Sequence, residues 1–469
     1  MATEAKIGYE IFPDRFYSSK EKQSTVNWQT PIEKTTLGKH QYEFYGGDLR
    51  GIIEKLGYLE DLGIDFVYST PIFKAKTNHR YDAVDYYKID EMLGTVDDLK
   101  ELLKQLHKRN IRFVLDGVFN HISLDHEWHN NPEYDSYILK NNKGNSYWFN
   151  VIFLPELNLE NHELREILWN GEDSVIKKWT NIGVDDWRID CAYDIGFKYC
   201  KEITKRLKEM GDHNSIGEVW AYPKEWISDQ VLDGVMNYYF TELIGAFIKG
   251  EVDSRSFSKV IENTQKDCGI DGLLKSWNIL STHDTPRLRR IYRDKWKLAV
   301  ALQFTLPGSP LIYYGEELGI TSGGDPYCRQ PMPWELANSE NESLNFYKSM
   351  IALFRRSAAL KKGTYEKVIV TNDNVLVFLR KTEKIEEMKI IVIDPTGESQ
   401  GYRAILGESR LMNNFPVIDH FSGKEVKVAN STIADEITAN SFYIYYPKTK
   451  FNGCSPYKRV IQEDNDDSR

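Results

Sequence analysis

The sequence predicts an α/β fold closing as an eight-stranded parallel barrel, on three observations. Short apolar β-rich runs alternate with amphipathic helical runs from the start to about residue 360. Eight such units fit that stretch, which favours a closed TIM (β/α)8 barrel over an open doubly wound sheet. After Lys362 the texture changes to short alternating strands with turn residues between them, the pattern of an antiparallel β-sandwich.

The elements follow in order. "KIGYEIFP" reads as the first strand, and "DLRGIIEKLGYLEDLG" as a helix with apolar residues three to four apart. "DFVYSTP" is the second strand. "VDDLKELLKQLHKRN" is a helix, with Thr95 placed to cap it. "IRFVLDGV" is the third strand, and "VDDWRID", "SIGEVW", "GVMNYYF", "WNILSTHD" and "SPLIYYG" supply the remaining five. The third unit is interrupted by the polar, aromatic-rich residues 122–159 before the helical run "ENHELREILWNGEDSVIKKWTN". A loop that long inside a compact domain is usually functional, so we expect a small inserted subdomain over the barrel mouth. The expected division is barrel over 1–121 and 160–361, insertion over 122–159, sandwich over 362–448 and a frayed acidic tail over 449–469.

Composition narrows the function. The chain is 41% hydrophobic and carries a net charge of −10, which argues against nucleic acid or an anionic membrane as its main partner. The aromatic share of 13% suits flat sugar faces, although a large core alone accounts for it. The five cysteines are odd in number and none pairs at zinc-finger spacing, so reduced thiols and a cytoplasmic location are expected. No signal peptide or membrane-spanning run is read in the sequence.

Charged residues collect where strands end. The third strand ends in Asp116, Asn120 and His121, the fourth in Arg188 and Asp190, the fifth in Glu218 followed by Trp220, and the seventh in His283 and Asp284. In a TIM barrel that rim carries the active site. Each acid alone reads as a cap or turn residue; three at the rim of one barrel point to chemistry. Arg188 and Asp190 are two apart and share a strand face, so the guanidinium is expected to keep Asp190 ionised, as a nucleophile requires. Glu218, partly buried among acids on the neighbouring strand, is expected to hold a proton for a leaving oxygen. Two such carboxyls ~5–5.5 Å apart form the retaining glycosidase arrangement.

At these residues the chain resembles the α-amylase superfamily, glycoside hydrolase family thirteen. "DGVFNH", "WRIDCAYD", "GEVW" and "STHDTPR" match its four conserved regions in order. The resemblance implies Asp190 as nucleophile, Glu218 as general acid and base, and Asp284 as the third acid gripping sugar hydroxyls. It implies that Arg188 orients the nucleophile, that His121 and His283 bind hydroxyls, and that Asp116 supports the site. Tyr81, in "NHRYD", matches a tyrosine whose ring stacks on the reacting glucose. "YEIFPDRF", "VMNYYF" and "GGDPYCRQPMPW" look like the neopullulanase, cyclomaltodextrinase and maltogenic amylase group. There Asp325 and Arg329 would bind the next sugar on the non-reducing side, and Trp220 would lie on the leaving-group side.

The departures carry expectations too. Relatives in that group carry a β-sandwich before the barrel that helps form a dimer. Here the first strand begins almost at once, so a monomer is expected. "YSSKEKQSTVN" offers few oxygen ligands, and calcium takes six to eight; with "CAYDIG" lacking Lys-His, no metal and no organic cofactor are expected. "LPELN", residues 154–158, leaves the choice between α-1,4 and α-1,6 bonds open. The reading is thus a retaining hydrolase of maltooligosaccharides, cyclodextrins or starch fragments. A transglycosylase on the same site and a non-catalytic glucan-binding protein are the alternatives.

Overall fold

The computed structural model describes residues 3–19, 24–32 and 39–450. The acidic tail from residue 451, Cys454 and part of the "YSSKEKQSTVN" segment lie outside the described residues. Eight parallel strands close into a barrel. They are Gly8–Ile11, Phe66–Ser69, Arg112–Gly117, Asp186–Ile189, Ser215–Val219, Gly234–Asn237, Trp277–Asn278 and Ser309–Tyr313. All eight fall within the apolar runs read from the sequence. The first strand pairs with both the second and the eighth, and so seals the cylinder.

Residues two apart along a strand share a face, and the inward face fills the lumen with Phe66, Tyr68, Val114, Ile216, Met236, Trp277 and Leu311. Phe66 stacks on Trp277 with ring centroids 5.3 Å apart. Gly8 is required at this closure, because a Cβ there would stand 2.2 Å from the Phe66 ring. Further toward the C-terminal ends the inward positions turn polar. Register sets Asp116 beside Arg188, and Arg188 beside Ile216. Continuing that register two residues brings Asp190 level with Glu218.

Helices cover the outside. Thr95 caps the helix Val96–Lys108 through a reciprocal pair of bonds with Asp98. Two expected helices are broken. The run after Asp48 divides at Lys55 into Leu49–Glu54 and Leu56–Leu62. The run after Asn161 divides into His162–Arg165, a π turn over Glu166–Asn170, and Val175–Ile182 capped by Ser174. The intervening "GEDS" explains the second break: it is apolar-free and supplies the new N-cap. A hairpin that sequence periodicity does not show, Phe73–Ala75 with Ala83–Ile89, follows the second strand and carries Tyr81 at its tip.

Residues 122–159 hold a short helix, Glu127–Asn130, 3-10 turns and a two-residue ladder. Single bridges from His121 to Glu156 and from Tyr147 to Pro155 fold "LPELN" back onto the root of the insertion. C-terminal to the barrel stand a six-stranded and a three-stranded antiparallel sheet around a core that includes Val377, Leu379, Val392, Ile433 and Tyr445. One of their strands, Gln400–Ile405, passes unnoticed in the sequence because its run opens with Gln and Gly. Among the described residues no helix is long and apolar enough to cross a membrane.

Candidate active site

The C-terminal ends of the strands surround a cavity of about 890 Å³, roofed on one side by Trp148, Phe149 and Phe153 of the insertion. Tyr81, His121, Asp190, Glu218, Trp220, Asp284, Asp325 and Arg329 all line it. Asp116, Arg188 and His283 lie beneath the lining, each with no exposed surface.

Arg188 is the hub of that buried layer. Its Nη1 donates to both oxygens of Asp116 at 2.8 and 2.9 Å and to Asp190 Oδ1 at 2.6 Å. Its Nη2 lies 2.9 Å from Glu218 Oε2. One cation thus serves three carboxyls from three adjacent strands, and the two facing the cavity are held side by side. Glu218 also accepts from the Cys191 backbone N–H at 3.0 Å and from Trp220 Nε1 at 2.9 Å. The Trp220 ring is stacked on Tyr238 at 3.6 Å, leaving its far face open to the cavity.

This sharing corrects the protonation expected from sequence. Asp190 is pushed up to about 8: burial dominates, Arg188 pulls the other way, and Glu218 and Asp116 push up again. A guanidinium divided among three acids does not hold Asp190 ionised by itself. Glu218 is ion-paired to the same guanidinium.

A second cluster closes the other side. His283 Nδ1 meets Glu10 Oε1 at 2.6 Å, and its Nε2 meets Asp284 Oδ2 at 3.0 Å and Tyr81 Oη at 2.7 Å. Burial works against charge on this imidazole, yet Asp284 and Glu10 outweigh it and push the pKa up to about 10. Asp284 is held well below the usual carboxylate range: burial opposes that, but His283 and Arg329 prevail. Arg329 donates to Asp284 Oδ1 at 3.0 Å and pairs with Asp325 at 2.9 Å, so Asp325 and Arg329 belong to the cavity wall rather than to an isolated surface bridge. Both ring nitrogens of His283 have partners in the protein, Glu10 on one side and Asp284 with Tyr81 on the other.

His121 keeps a free atom. Its Nε2 has no hydrogen-bond partner among the described residues, and its ring lies 5.1 Å from Trp148. Burial lowers its pKa to about 3, with the Tyr81 backbone acting weakly the other way, so it is neutral at ordinary pH. Tyr81 Oη donates to Asp116 at 2.9 Å, and its ring is nearly parallel to His283 at 5.3 Å. The sequence reading passed over Glu10, Tyr68, Trp148 and Cys191. Glu10 alone left a signal, a charge inside the apolar run of the first strand.

Comparison with known proteins agrees with this geometry. Residues 10–385 match the family described as alpha amylase, catalytic domain. The chain is 32% identical over 424 residues to a cyclomaltodextrinase of Bacillus sp, covering 84% of this chain and 73% of that protein. It is also 32% identical over 424 residues to neopullulanase 2 of Thermoactinomyces vulgaris, covering 85% and 70%. The solved structure of a cyclic alpha-maltosyl-(1→6)-maltose hydrolase from Arthrobacter globiformis superposes with a TM-score of 0.79 at 26% identity, over 94% of this chain and 98% of that one. The chain belongs to the alpha-amylase family and is a glycoside hydrolase.

Proposed function

We propose that this enzyme hydrolyses α-glucosidic bonds of maltooligosaccharides, cyclodextrins or starch fragments with retention at the anomeric carbon. The observation that carries the proposal is the placement of Asp190 and Glu218 on one guanidinium at the floor of a cavity that Asp284 also lines. Asp190 attacks the anomeric carbon while Glu218 gives its proton to the departing glycosidic oxygen. The C1–O bond to the leaving sugar breaks as the C1–Oδ bond forms, giving a covalent glycosyl-enzyme. Glu218 then takes a proton from water, and the hydroxide it generates displaces Asp190.

Asp284 is kept ionised by His283 and Arg329, and so is suited to gripping two hydroxyls of the distorted sugar. The neutral His121 offers Nε2 to another hydroxyl, and Tyr81 offers its ring face. The exposed ring of Trp220 supplies a platform on the leaving-group side, and Asp325 with Arg329 walls the opposite end. The four described cysteines are all free, which suits work in a reducing cytoplasm.

A product time course on maltoheptaose, β-cyclodextrin, pullulan and starch tests the reading. Cleavage of maltoheptaose, with cyclodextrin attacked faster than starch, is the expected result. Products longer than the substrate would assign transfer to a sugar hydroxyl instead of water. Tight maltoheptaose binding with no reducing sugar released would return the protein to a binding role.

A further inference from the structure

Cys191 follows Asp190 and is neither needed by the proposed reaction nor distant from it. Its backbone has φ +46°, a left-handed conformation that residues other than glycine rarely adopt. That turn aims the thiol back at the preceding carboxyl, and Sγ donates to Asp190 Oδ2 at 3.2 Å. Asp190 Oδ1 is taken by Arg188, and Asp190 lines the cavity. Across from it stands His121, 1% exposed, whose Nε2 has no hydrogen-bond partner among the described residues. Among the described residues, His121, Asp190 and Cys191 form a group whose sulfur, nitrogen and oxygen atoms all lie within 4.8 Å of one another.

Sulfur, imidazole nitrogen and a single carboxylate oxygen are the donors of a tetrahedral thiophilic ion such as Zn²⁺, not of calcium or magnesium, which take oxygen. Around zinc such donors sit roughly 3.3–3.7 Å apart, and the thiol-to-carboxylate edge is already near that length. Packing of the His121 ring against Trp148, tilted by 31°, positions the third donor. We propose that these three residues bind Zn²⁺ or Cd²⁺ at the floor of the cavity, and that the bound ion silences the enzyme by covering Asp190 Oδ2. The thiol proton is released to solvent as the S–metal bond forms, and a fourth coordination position faces the cavity. The inhibitory half of this proposal rests on the nucleophilic role given to Asp190; the binding half does not.

The test uses the full, reduced chain. Zn²⁺ is titrated against a fluorescent zinc indicator, Cd²⁺ is followed by its thiolate charge-transfer absorbance, and maltoheptaose hydrolysis is measured over the same concentrations. One ion per chain, a thiolate band and loss of hydrolysis over one range are expected. Cys191→Ala should abolish the band and weaken binding by at least about tenfold, with Cys191→Ser as a second variant and Cys268→Ala retaining both signals. Wild-type affinity in a folded Cys191→Ala chain, or no thiolate band in the wild type, overturns the site. A band in a chain that cleaves no glucan would keep the metal site and remove the glycosidase reading. Hydrolysis without a band would do the reverse.

Discussion

Arg188 decides what the neighbouring acids can do. It is fully buried, donates to Asp116 and Asp190, and is ion-paired with Glu218. The acids themselves were legible as charges ending apolar runs. The protonation of Asp190 was not, because burial raises its pKa and the Arg188 that opposes it is shared with Asp116, 72 residues away in sequence and brought there by strand register. If Glu218 is the proton donor, Glu218→Gln should lose ~10²–10⁴-fold in turnover on maltoheptaose. The same variant should recover much of its first step on α-maltosyl fluoride, whose leaving group departs without a proton. Asp190→Asn should recover on neither substrate. Equal losses on both substrates for Glu218→Gln would remove it from the acid role.

At the scale of elements, apolar runs were enough to place all eight strands, since buried parallel strands carry little else. The helices were less legible: the 3.6-residue period continues across Lys55 and through the π turn at Glu166–Asn170, where the backbone does not. The hairpin carrying Tyr81 was hidden by register shifts that spoil its alternation. One contact between elements has a pH signature. His283, after the seventh strand, is clamped between Asp284 and Glu10 of the first strand, and its pKa rises from the ordinary 6.5 to about 10. A group whose pKa is raised by folding stabilises the fold fully below its unfolded value and loses that contribution as pH climbs to the folded value. The melting temperature of the wild type should therefore exceed that of His283→Gln most below about pH 6.5. The gap should close between there and pH 10; a gap that widened over that window would contradict the clamp.

The whole molecule is a barrel whose rim is fixed by its neighbours. The insertion roofs the cavity, and the C-terminal sheets are tied to the barrel by Arg380. This residue is fully buried and donates to the carbonyls of Thr305 at 2.7 Å, Leu360 at 3.1 Å and Gly363 at 2.8 Å. Burial lowers its pKa to about 9. Its strand was readable as a strand, but nothing in "VLVFLRKT" distinguishes a solvated arginine from one stitched between domains. Arg380→Ala leaves three buried acceptors unpaired and should reduce stability by ~3 kcal/mol or more, read by urea unfolding. kcat/KM of the folded fraction should stay unchanged. Loss of activity without loss of stability would place Arg380 in another role.

The central claim is that Asp190 forms a bond to the sugar and is then displaced, so the anomeric configuration is inverted twice. Proton NMR of the first sugar released from maltoheptaose, recorded before mutarotation, reads this directly. The account predicts the α anomer at the earliest times, relaxing afterwards toward the equilibrium mixture. The β anomer appearing first would mean a single displacement by water, and would contradict it.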